Sequence, residues 1–182
     1  MNKELNKKYT SIESLISDEE LIASLSVKQR EQFKRRIRNN LLHSLSIEKK
    51  INHSSQDICI RLKYLYQENS IGSATCYKKN DQEKITLNTL YLYEMYHNYG
   101  LGTHVFHCIM KELHELFPTI TRVEWTAIPL FFKAKNPDNE AEEWEKAQKR
   151  LFKFYKNCGA TVNEETGDCY INLKDAEYFD EN

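Results

Sequence analysis

The sequence predicts one mixed α/β (α+β) domain with a helical front end. From Asp57 onward, apolar residues recur at every second position, the period of a strand with one buried face. From Val105 they recur every three or four positions, as on a helix that packs along one side. Between Tyr91 and Leu113, "YLYEMYHNYGLGTHVFHCIMKEL", the first pattern turns into the second across Gly100 and Gly102, two of only five glycines in 182 residues.

Composition narrows the class. At 40% hydrophobic and 29% charged, the chain has the make-up of a globular protein, not a disordered one. A formal net charge of -1 gives no overall pull toward nucleic acid or a membrane surface. No apolar run approaches the roughly 20 residues that span a bilayer. "MNKELNKKYTSIESL" lacks the apolar centre of a secretory leader. The five cysteines (Cys59, Cys76, Cys108, Cys158, Cys169) are odd in number, widely spaced and without a C-x-x-C pair. Neither a zinc ribbon nor a disulfide framework is indicated, and the expected home is the cytoplasm, with the thiols as small core residues.

Residues 1–56 read as a helical segment, with helix up to about Ile51. Leu15, Ile16, Leu21, Ile22 and Leu25 form a first apolar pattern, with Asp18, Glu19 and Glu20 as its acidic start. Phe33, Ile37, Leu41, Leu42 and Leu45 form a second. Its exposed side carries "KQREQFKRRIR", Lys28 to Arg38. The plainer reading of this run is the solvated face of an amphipathic helix, and the sharper one is a contact for a phosphate-bearing partner such as RNA.

A core region, 57–174, follows. "DICIRLKYLYQ" puts Ile58, Ile60, Leu62, Tyr64 and Tyr66 on one strand face; "SIGSATCYKK" is a second strand, and "KNDQEK" a hairpin turn. "ITLNTLYLYE", Ile85 to Glu94, reads as the third and longest strand. The helix after the glycines buries Val105, Phe106, Ile109, Met110, Leu113 and Phe117, and Pro118 ends it. "RVEWTAIPL" is another strand and "FFKAKNPDNEAEEWE" an acidic connector. Asn136 before Pro137 starts a last helix, which packs through Ala147, Leu151, Tyr155 and Cys158 and is capped by Gly159. "GDCYINLK" closes as a strand, and residues 175–182 form an acidic tail.

A strand that runs into a helix through glycines leaves the first helical N–H groups without internal partners, at the positive end of the dipole. With no side chains in the way, an anion can reach them, so Asn98 to Thr103 reads as a diphosphate cradle. The plainer reading is a tight turn that needs glycine for its own geometry. The dinucleotide fingerprint fails, because Val105 stands where a third glycine belongs, and no Gly-Lys-Ser/Thr makes a P-loop.

These residues resemble the GNAT superfamily of acyl-CoA-dependent N-acetyltransferases. Its Gln/Arg-x-x-Gly-x-Gly/Ala signature, between the fourth strand and the next helix, is similar to "HNYGLG", His97 to Gly102. Both glycines match, and His97 stands in the first place. "FYKNCG" matches a second element, an aromatic or aliphatic residue followed by Tyr-x-x-x-Gly, through Phe154, Tyr155 and Gly159. The order of elements from Asp57 to Leu173 is also the family's. No first strand is read in residues 1–56, the connector is longer than usual, and Gln148 is the nearest counterpart of the asparagine that opens the family's last helix.

The resemblance implies a mostly antiparallel central sheet with one splayed parallel strand pair, flanked by helices. It also implies acetyl-CoA as cosubstrate. The diphosphate would lie over His97, Asn98, Tyr99, Gly100, Leu101, Gly102 and Thr103, with the pantetheine arm beside Leu92, Tyr93 and Glu94. Backbone N–H groups exposed by the splay would polarise the thioester, and a primary amine would attack it directly in a ternary complex. Tyr155 would protonate the leaving thiolate, and Glu94 or Glu124 would take the ammonium proton. A core tyrosine and surface carboxylates are the plainer readings of the same three residues. His104 and His107, one helical turn apart, lack a further ligand placed by the sequence, so no metal is expected.

The acceptor is open between a small amine, a protein amine and an aminoacyl group on tRNA. The acidic connector suits a cationic acceptor; the basic helix suits one borne on nucleic acid. A non-catalytic CoA-binding or protein/RNA-interaction module on the same fold is the alternative. No membrane contact is expected, and the front helices offer an apolar surface for a homodimer.

Overall fold

The computed structural model describes residues 16, 18–129, 132–134 and 136–174. Leu15 and the acidic tail, both named above, lie outside the described residues. Helix α1 (Glu19–Ser24) starts at Asp18, whose carboxylate accepts the Leu21 N–H at 2.8 Å. Helix α2 (Val27–His43) starts with a reciprocal cap between Ser26 and Gln29 and buries Phe33, Ile37 and Leu41. Three antiparallel strands follow, β1 (Leu45–His53), β2 (Asp57–Tyr66) and β3 (Asn69–Lys79), and then β4 (Lys84–Leu92). Beyond a short 3-10 turn, Glu94–Tyr96, come α3 (Leu101–Leu116) and β5 (Arg122–Thr126). A second 3-10 turn, Pro137–Asn139, leads into α4 (Glu140–Asn157), and β6 (Thr161–Val162) and β7 (Asp168–Asn172) close the chain.

The seven strands form one sheet in the order β1-β2-β3-β4-β5-β7-β6. Every neighbouring pair is antiparallel except β4 and β5. The mostly antiparallel sheet with one parallel pair is therefore the arrangement that the family resemblance implies. β4 and β5 pair over three positions only, Lys84↔Arg122, Ile85↔Val123 and Thr86↔Glu124. Beyond them the strands part and leave a wedge, with its apex at Thr86 and Glu124. On its other side β4 pairs with β3 through an irregularity: Cys76 faces Leu87 and Thr75 faces Thr89, so Asn88 is the extra residue of a bulge.

Cross-strand partners show where the core lies. Ile60, Leu62 and Tyr64 oppose Cys76, Ala74 and Gly72, and these oppose Leu87, Leu90 and Leu92. Across the parallel pair, Ile85 meets Val123, which meets Ile171. All lie on one face, and the buried side chains of α2, α3 and α4 join them in one cluster. The opposite face carries Arg61, Lys63, Tyr77 and Thr86, all exposed.

Two sequence expectations are corrected. Helix ends at His43 rather than near Ile51, and Leu45–His53 is the first strand. Its inward positions are Ile47, Lys49 and Ile51, opposite Tyr64, Leu62 and Ile60. A lysine at the middle position breaks the alternation and leaves isoleucines four apart, which mimics a helix. Lys49 is tolerated there because β1 is an edge strand and its ammonium pairs with Glu112 of α3. The strand before the glycines is the fourth, ends at Leu92, and at nine residues is shorter than the eleven of β3.

Candidate active site at the parting strands

The path from β4 to α3 is set by backbone conformation. Tyr93 N–H donates to Ile71 O at 2.9 Å, which prolongs the β3 pairing by one residue. The Glu94–Tyr96 turn then buries Tyr96 and leaves Tyr93, Glu94 and Met95 exposed. His97 turns back, its Nε2 2.9 Å from Leu92 O; a carbonyl only accepts, so that nitrogen carries the proton. Asn98 at φ 65° and Gly100 at φ 73° bring the chain round into α3. Burial raises the pKa of the Tyr99 phenol between them.

The two glycines have different reasons. Gly100 is the N-cap of α3 and takes a left-handed conformation that a Cβ disfavours. A side chain at Gly102 would approach the Phe154 ring of α4 to 3.1 Å, so Gly102 permits close helix packing. As an N-cap, Gly100 supplies no side-chain acceptor, and no acidic residue occupies the first turn of α3. The helix therefore starts with its N–H groups and positive dipole end uncapped by any side chain. Arg38 of α2 reaches this point, with its Nε and a terminal guanidinium nitrogen 3.6 Å from where a Cβ of Gly100 would be. The basic run of α2 is read in the sequence as a whole; that Arg38 meets the junction follows from how α2 packs.

At the apex the arrangement is made by side chains. Trp125, one residue beyond the last β4–β5 pair, packs its ring 4.9 Å from Tyr155 and 5.5 Å from Phe106. Tyr155 also meets Phe106 at 5.7 Å and Phe154 at 5.0 Å. Burial, and secondarily Cys169 and Cys158, raises the Tyr155 pKa, so the phenol stays protonated at neutral pH. Gln148, two helical turns before Tyr155, donates its amide to Ala127 O, and Ala127 N–H donates to Gly167 O at 2.8 Å. β5 is thereby held on the side away from β4.

The candidate residues do not form one constellation. Tyr155 lies on the helix-covered face. Glu124 alternates with Trp125 and points to the open face, where it accepts a hydrogen bond from Lys84 Nζ at 2.7 Å and forms an ion pair with Arg122, whose Nε lies 3.0 Å away. Arg122 in turn lies 3.7 Å over the Tyr170 ring. Glu94 stands at the mouth of the wedge, where Tyr93, Met95 and, beyond β5, Ile128 expose large apolar surfaces. What joins these places is the gap between the strands, since a group within it meets both faces. Among the described residues no cluster of three or more His, Cys, Asp or Glu could hold a metal ion, and no helix is long and apolar enough to cross a membrane.

No protein-family model matches the chain, and no curated protein matches it. Among solved structures, it is similar to AtaTR bound with acetyl-CoA, at 15% identity over 75% of this chain and 98% of that one, with a TM-score of 0.48. A Bacillus subtilis acetyltransferase in complex with CoA is similar at 8% identity, over 70% of this chain and 99% of that one, with a TM-score of 0.45. The KacTA–DNA complex is similar at 15% identity over 90% of this chain and 85% of that one, with a TM-score of 0.42.

Proposed function

We propose that the chain is a GNAT-type acyltransferase that moves an acetyl group from acetyl-CoA to a primary amine. The observation that carries the reading is the parallel pair that parts after Thr86 and Glu124, with an uncapped helix start at its mouth and a buried tyrosine behind its apex. Strand edges facing a gap offer backbone groups to an extended ligand, as in strand addition. The diphosphate takes the Asn98–Thr103 backbone, and Arg38 supplies a cation beside it. The pantetheine arm follows Leu92, Tyr93 and Glu94 into the wedge.

The thioester then lies where both faces of the sheet are accessible. A neutral amine arriving from the open face attacks the carbonyl carbon; the C–N bond forms, the C–S bond breaks, and the thiolate takes a proton from Tyr155. The amine's surplus proton passes to solvent through Glu94, the exposed carboxylate at the mouth, and solvent returns a proton to Tyr155 once the products leave. Glu124 is the weaker candidate because its carboxylate is already engaged by Lys84 and Arg122.

Thermal unfolding with acetyl-CoA, with ATP as control, tests the reading. A ligand at about 100 times its Kd adds roughly 2.7 kcal/mol. For a chain of this size that is about 5–10 °C. A shift with acetyl-CoA and none with ATP supports the site, and turnover of an amine panel then identifies the acceptor. No shift at saturating acetyl-CoA rejects it.

A further inference from the structure

Trp125 is 5% exposed, and its indole N–H, buried, has no hydrogen-bond partner. A buried donor left unpaired costs about 1–3 kcal/mol, and native proteins keep few of them. Packing alone does not explain this one. Phenylalanine offers nearly the same ring to Phe106 and Tyr155 without a donor to satisfy. The position is also particular: Trp125 is the first residue of β5 past its last pairing with β4, next to Tyr155 and level with Leu87, just before the Asn88 bulge.

We infer that the Trp125 indole N–H is a ligand-binding donor at the apex of the wedge, completed by a carbonyl oxygen of an acyl-pantetheine arm. This rests on the proposed acyl-CoA site and adds to it a specificity element from β5, apart from the backbone of β4. The ligand class follows from the surroundings. The acceptor must be an oxygen on a slim, mostly apolar chain, since Trp125 packs against the Phe106 and Tyr155 rings. A charged acceptor would lose its hydration there without a counter-ion. An amide or thioester carbonyl has the right polarity and no charge. Trp125 orients the arm, and Tyr155 stays free to serve the sulfur.

Indole ¹H–¹⁵N NMR of the full chain tests this directly. The protein has two tryptophans. The signal lost in Trp144→Phe identifies Trp144, which is 39% exposed, and leaves the other as Trp125. Acetyl-CoA is expected to move the Trp125 N–H downfield and slow its exchange with solvent, with Trp144 unchanged. A matching response to free CoA assigns the oxygen to a pantetheine amide; a response to acetyl-CoA alone assigns it to the acyl carbonyl. Trp125→Phe is expected to weaken acetyl-CoA binding about three- to tenfold, as for one neutral hydrogen bond. If acetyl-CoA raises the melting temperature but leaves the Trp125 signal unmoved, the inference falls and the acyl-CoA site stands. If acetyl-CoA produces neither effect, both fall together.

Discussion

At the mouth of the wedge the chain is shaped by its backbone: Asn98 and Gly100 at positive φ, His97 tied to Leu92 O, and a helix that starts without a side-chain cap. At the apex it is shaped by side chains, with Trp125, Tyr155, Phe106 and Phe154 ring against ring. The mouth should therefore answer to changes in backbone freedom, and its effects should appear first in stability. The apex should tolerate isosteric ring changes and answer in chemistry. Substitutions at the two ends separate these behaviours.

The largest effect is expected behind the mouth, at Gly72. It opposes Leu92, and a Cβ there would fall on the Tyr91 carbonyl oxygen and 2.8 Å from Leu92 Cδ2. Backbone cannot swing aside as a side-chain tip can. Gly72→Ala should cost about 3 kcal/mol, the upper range for overpacking. That lowers the melting temperature by roughly 6–12 °C. A melting temperature within 2 °C or so of the parent would mean that β3 and β4 can separate here without loss.

Next, at the apex, Tyr155→Phe should leave the ring contacts and melting temperature nearly unchanged. With the proton donor gone, turnover of the amine identified by screening should fall about 100-fold, the low end for general acid catalysis. Acetyl-CoA affinity should hold within about twofold. Equal losses of affinity and stability would make Tyr155 a packing residue instead.

What could be read in advance divides along the same line. The mouth was legible, because a strand period, two glycines and a helix period lie consecutively in the chain. The single parallel pair came with the family resemblance, and the pairing of β4 with β5 bears it out. The apex was legible only at Phe154 and Tyr155, through that resemblance: Trp125 reads as one more apolar strand residue, and only tertiary packing leaves its N–H unpartnered. Arg38 was hidden among the charges of one helix. Lys49 actively misled, since an inward lysine at a sheet edge turns a strand pattern into a helical one.

Within the mouth, the two glycines should part company. Gly100→Ala forces a Cβ into a left-handed conformation at a cost of about 1–2 kcal/mol, while the nearest atoms, those of Arg38 at 3.6 Å, do not clash. Gly102→Ala meets only the edge of the Phe154 ring, which can tilt, and regains helix propensity near 1 kcal/mol. Chemical denaturation should show a clear loss for the first and almost none for the second. Equal losses would mean that packing against α4, not conformation, sets both positions.

The smallest effect concerns the charge at the mouth. Burial first, and the nearby Arg38 second, hold the pKa of His104 below its ordinary value of 6.5; burial and then His104 do the same for His107, against an opposing backbone hydrogen bond at Cys158. Cys108 Sγ, 3.4 Å from His104 Nε2, carries no charge that would offset this, its own pKa being raised by burial. A histidine that is harder to protonate folded than unfolded adds its full stability above the unfolded value. That stability is lost as pH falls toward the folded value, because the unfolded chain takes up the proton first. The melting temperature should therefore decline as pH drops from about 7 toward 5. Arg38→Gln removes only the lesser cause, so it should shrink the decline without abolishing it. The same substitution should weaken acetyl-CoA binding at low salt and matter less as salt screens the pair. An unchanged pH slope with weakened binding would leave Arg38 as a phosphate contact too mobile to influence His104; an unchanged slope with unchanged binding would remove it from the mouth altogether.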